Sequence, residues 1–95
     1  MLYERRINSF TALVEEATFM DADAGLRVPG RYNGRNCYAF VTRFGNHYSV
    51  MIYSRASGRR GGLGPRLAAE ELEGIEELKS LLKRVIPSRV RAFAY

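Results

Sequence analysis

The chain is expected to fold as an α+β domain, an antiparallel three- to four-stranded β-meander packed on one face by an N-terminal and a C-terminal helix. Three observations lead there. Two turn pairs, Asn33-Gly34 and Gly45-Asn46, each lie between runs rich in aromatic and β-branched residues, the pattern of consecutive hairpins. Apolar residues at helical spacing flank that region on both sides. The length, 95 residues, suits one domain spanning 1–95 with a thin core.

In 7–20 the apolar residues Ile7, Phe10, Leu13, Val14, Ala17 and Met20 recur at spacings of three and four, with Asn8 or Ser9 placed to cap. This predicts a first amphipathic helix, a strand being the weaker alternative. The DADAG stretch at 21–25 reads as a turn. Residues 26–32 alternate and lead into Asn33-Gly34, so they are predicted to be an outer strand, with Pro29 marking it as an edge strand or bulged.

The next two runs, within 37–55, form the hairpin around which the rest is arranged. A two-residue loop at Gly45-Asn46 pairs Phe44 with His47, and thereafter Thr42 with Ser49, Phe40 with Met51 and Tyr38 with Tyr53. Opposed side chains share a face. One face then holds Cys37, Ala39, Val41, Val50 and Ile52, suited to packing under helices. The other holds Tyr38, Phe40, Thr42, Phe44, His47, Ser49, Met51, Tyr53 and Arg55, which reads as a platform for stacking flat groups. Carrying the parity across the preceding turn adds Leu26 and Val28 to the aliphatic face, and Arg27 and Arg31 to the aromatic one.

Residues 54–65 (SRASGRRGGLGP) read as a basic, Gly-rich loop in which Arg59 and Arg60 could hold phosphates, or as a plain connector. Residues 66–86 are predicted to be one helix, with Leu72, Ile75, Leu78, Leu82 and Val85 as its stripe, Gly74 a possible break and Pro87 its end. Leu81 and Ile86 widen the stripe, so Leu78, Leu81, Leu82, Val85 and Ile86 are the residues expected at a homo-oligomer interface. The tail, 88–95, alternates Arg89, Arg91, Phe93 and Tyr95 against small residues and reads as a fourth strand, a swapped arm or a disordered end.

The net charge is +5, and five of the ten acids fall within 70–77, which leaves the remainder strongly basic. Lysine occurs only at 79 and 83; the other cations are arginines, which give planar, multidentate contacts to phosphate and stack on rings. The arginine bias also has a plain source in codon usage. The lack of glutamine and the single cysteine are traits of thermophilic proteins. No apolar run approaches a membrane span and the first residues lack a signal-peptide core, so a cytoplasmic protein is expected. Cys37 and His47 fall on opposite faces and cannot form a dyad, and Asp21 with Asp23 lacks further ligands. No catalytic residue, metal or cofactor is therefore expected.

Helix, antiparallel meander, Gly/Arg-rich loop and Glu-rich helix, in that order in a short basic chain, resemble the DNA-binding domain of the ThermoDBP-related single-stranded-DNA-binding proteins of hyperthermophilic archaea. The resemblance implies an oligomer and a sheet face that binds single strands, here through Arg27, Arg31, Tyr38, Phe40, Tyr53 and Arg55. The expected activity is binding of single-stranded DNA, and of RNA too, with little sequence preference. Phe44, His47, Met51, Arg59 and Arg60 complete the expected surface. The competing expectation is a protein-interaction module whose aromatic face is an oligomer or partner interface, with a homodimer or homotetramer as the assembly.

Overall fold

The computed structural model describes residues 4–56, 62–86 and 88–95. Within them the chain is α+β, with two helices and a six-stranded open sheet in the order β1-β6-β2-β3-β4-β5, antiparallel throughout. In chain order the elements are β1 (Arg5–Ile7), α1 (Phe10–Phe19), β2 (Leu26–Tyr32), β3 (Arg35–Phe44), β4 (His47–Ala56), β5 (Gly62–Leu72), α2 (Ile75–Val85) and β6 (Ala92–Ala94).

Turn chemistry sets the centre of the sheet. Asn33 and Gly34 both have positive φ (49° and 80°), as a tight turn between Tyr32 and Arg35 requires. At the second turn only Gly45 is left-handed (φ 59°), and Phe44 pairs with His47. The β3–β4 register is the one read from the sequence: Thr42 opposite Ser49, Phe40 opposite Met51, Tyr38 opposite Tyr53.

Both helices cover the aliphatic face. Leu26, Val28, Cys37, Ala39, Val41, Val50 and Ile52 are buried there with Leu13 and Ala17 of α1 and with Leu78, Leu81, Leu82 and Val85 of α2. Ser9 caps α1, its Oγ accepting from the Ala12 N–H at 3.1 Å. The sheet caps the other end of α1: the Tyr48 hydroxyl donates to the Ala17 carbonyl at 2.7 Å, and Arg43 donates to the Thr18 and Met20 carbonyls at 2.9 and 3.3 Å. Those carbonyls have no donor within the helix, and the guanidinium also suits the negative end of its dipole. Helix α2 crosses β2 so closely that a Cβ on Gly30 would lie 2.4 Å from the Val85 carbonyl oxygen.

Four expectations need correction. The sheet has six strands rather than three or four. Residues 62–72, expected as the end of a loop and the start of a helix, form β5, because the ten-residue β4 offers an edge whose N–H and C=O groups pair with it. That pairing outweighs the helix propensity of its alanines, leucines and glutamates. Gly74 then precedes a helix of only eleven residues, where the Glu77 carboxylate accepts from the Glu73 N–H at 2.5 Å and closes the first turn. Pro29 does not make β2 an outer strand: β6 pairs with Leu26 and Arg27, and β2 is open on that side only from Val28 onward, where a missing N–H is tolerated. Finally, Leu78, Leu81, Leu82 and Val85 are at most 1% exposed, consumed by the chain's own core, and Ile86 is packed against that core. Of these five residues only Ile86 keeps surface to offer a partner.

Candidate nucleic-acid interface

The face opposite the helices is built by parity. Each strand sends alternate residues to it: Arg6 from β1, Phe93 from β6, Arg27, Pro29 and Arg31 from β2, Tyr38 and Phe40 from β3, Met51, Tyr53 and Arg55 from β4. Their guanidinia and rings interleave. Arg6 lies over the Phe93 ring at 5.8 Å, Arg27 lies 4.6 Å from Phe93 and 5.8 Å from Tyr38, and Arg55 lies 5.7 Å from Tyr38. The rings continue from Tyr38 to Phe40 (6.4 Å between centroids) and from Phe40, edge-on, to Tyr53 (5.9 Å). Each exposed cation over a ring contributes about 0.5–1 kcal/mol, enough to hold planar groups in order across the face.

Arg27 stands at the middle of this ladder. Its guanidinium pairs with Glu4 at 3.2 Å, and its Nε is buried with no hydrogen-bond partner. Beside it, Glu4, Arg27, Phe40 and Tyr95 line a shallow depression of about 430 Å³.

Charge is unevenly spread over the face. At the hairpin tip the register brings Glu71 beside Ser49, near the exposed Phe44 and His47. At the other end stand Arg31, Arg55 and Arg66. Arg66 reaches this face through a β-bulge: Ala68 faces Ile52, yet Tyr53 faces Arg66, and the skipped Leu67 packs on the core instead.

The structure thus brings together Arg27, Tyr38, Phe40, Tyr53 and Arg55, with Met51 opposite Phe40. Arg31 shares the face, two residues beyond Pro29, with no ring against it among the described residues. Phe44 and His47 are on the same face but remote from the ring cluster, at the turn. Arg59 and Arg60 lie outside the described residues. Missing from the sequence reading were Arg6, Arg66 and Phe93 as parts of this surface. Phe93 was visible as an alternating tail residue, but its docking between β1 and β2 has no local signal. Arg6 belongs to a three-residue strand, too short for any periodicity.

Cys37 is fully buried in the helix-covered face, where loss of solvent pushes its thiol pKa up, so it stays a neutral core side chain. Among the described residues no group of three or more His, Cys, Asp or Glu could hold a metal ion, and no helix is long and apolar enough to cross a membrane. No family model, curated protein or solved structure matches the chain.

Proposed function

We propose that the protein binds single-stranded nucleic acid, DNA and also RNA, with little sequence preference, on the open face of the sheet. The observation that carries this reading is the alternation of guanidinia and rings from Arg6 through Phe93, Arg27 and Tyr38 to Phe40 and Tyr53. Unpaired bases stack on Tyr38, Phe40, Tyr53 and Phe93, each worth roughly 1–3 kcal/mol, while Arg27, Arg31 and Arg55 neutralise phosphates. A duplex hides its base faces and gains only the charge term. Little sequence preference follows because stacking dominates and every base has a π-face. The expectation drawn from the ThermoDBP-related proteins is the same ligand. For the homodimer or homotetramer, the unpaired edge of β5 takes the place of α2 as the surface to use.

Titration of a fluorescently labelled oligo(dT) at two salt concentrations tests the reading. Binding should be tight at low salt, weaken steeply with added salt, and exceed that of a duplex of equal length. No binding at low salt would leave the aromatic face to a protein partner.

A further inference from the structure

At the basic end of the ladder, a cleft of about 660 Å³ is lined by Arg6, Asn8, Pro29, Arg55, Arg89, Val90, Arg91 and Phe93. Four of these are arginines and none is acidic. Among the described residues, Arg6, Arg55, Arg89 and Arg91 form no ion pair, whereas Arg5 and Arg27 do, with Glu16 and Glu4. Four guanidinia sharing one cleft repel one another, and folding brings them there from three separate parts of the chain: β1, the end of β4 and the segment before β6. Such an arrangement is stabilised by a compact, multiply charged anion. An internucleotide phosphate carries a single charge and needs one or two arginines. A terminal phosphomonoester carries about −1.5 to −2 at pH 7, with three oxygens free to accept.

The cleft also continues the ladder. Arg6, Arg55 and Phe93 belong to both, so a strand stacked on the rings runs directly into the arginines. On the single-strand reading above, we infer that this cleft seats the terminal phosphate of the bound strand, making the protein a binder of phosphorylated strand ends as well as of strand interiors. The same chemistry serves a 5′ or a 3′ phosphate, and a free nucleotide is the alternative source of such a group.

The test compares four probes on the full chain: oligo(dT) tetramers bearing a 5′ phosphate, a 3′ phosphate or neither, and thymidine monophosphate. One phosphorylated tetramer should bind roughly tenfold tighter than the unphosphorylated one, the gain expected of about one added charge-assisted contact. In the double variant Arg89→Ala, Arg91→Ala, both sites being exposed, that preference should fall to about twofold or less, with the unphosphorylated tetramer little affected. Among the described residues the lining holds no histidine or carboxylate, so the preference should also decline as pH falls through about 6, where the monoester loses its second charge. Equal binding of the three tetramers, or a preference that survives the double variant, overturns the inference and leaves single-strand binding standing. Thymidine monophosphate binding as tightly as the phosphorylated tetramer overturns the strand-end assignment in favour of a free nucleotide. If no tetramer and no longer oligonucleotide binds, the underlying reading fails as well.

Discussion

The two faces of this sheet are made from alternate residues of the same strands, yet they follow different rules. On the helix side, Val28, Ala39, Val41, Val50 and Ile52 are fully buried and uncharged, and the polar atoms of Arg43 and Tyr48 are spent on carbonyls of α1 and its following turn. On the open side, Arg27, Tyr38, Phe40, Met51 and Tyr53 are only partly buried, and cations sit over rings. The comparison teaches that large aromatic residues are not what closes this core. Small and branched aliphatics do that, and most of the rings are kept where something else can reach them.

Substitutions on the two faces should therefore separate stability from binding. The largest effect belongs to the closed face: Leu82→Ala, at a site with no exposed surface, should cost about 2–5 kcal/mol in denaturant unfolding, while the folded fraction keeps its affinity for oligo(dT). Next, Tyr38→Ala or Tyr53→Ala should weaken single-strand binding by roughly 1–3 kcal/mol with little change in Tm. If both variants bound like the parent with unchanged melting, the stacking platform would be wrong.

Tyr48→Phe sharpens the contrast, because Tyr48 is an aromatic residue on the closed side. Losing its bond to the Ala17 carbonyl should cost about 1 kcal/mol of stability and nothing in binding. Burial raises the Tyr48 pKa above the ordinary phenol value, so the folded state holds this proton longer than the unfolded chain. The stability it supports is complete below about pH 10 and is lost as pH rises through the raised value. Melting curves of parent and variant should converge in that alkaline range; a constant difference would place the hydroxyl elsewhere. The smallest effect is on the charge term. Arg27→Ala should flatten the slope of log affinity against log salt by roughly 0.7, the share of one phosphate contact on a single strand, and do so equally for different sequences.

The centre of this design is legible in the sequence, because there local chemistry decides the outcome. Asn33-Gly34 and Gly45-Asn46 fix two turns, the turns fix the register, and the register sorts every residue of β2, β3 and β4 to a face. The edges are different. Leu67 to Leu72 are rich in helix formers and become a strand only because β4 needs a partner. Arg5–Ile7 and Ala92–Ala94 are too short to announce themselves, and they pair with each other across almost the whole chain. The candidate site divides in the same way: Tyr38, Phe40 and Tyr53 follow from hairpin parity, whereas Arg6 and Phe93 join the ladder only through the non-local pairing of β1 and β6.

That pairing makes the face two cooperative units of unequal strength. Strands β2 to β5 are joined by ladders of seven or more rungs, but β6 holds β2 by two rungs and one reciprocal backbone pair between Gly25 and Tyr95, and among the described residues β1 has β6 as its one strand partner, with Ile7 and Ala92 set into the core. On the count of rungs, local opening is expected to detach β1 and β6 first, carrying Arg6 and Phe93 away from Arg27 while the hairpin stays formed. A ligand spanning the seam sutures the two units. Part of its binding energy is then spent on fastening an edge, and slower amide exchange at Phe93 and Ala94 on ligand addition, with none at Val41 or Val50, would be the trace of that work.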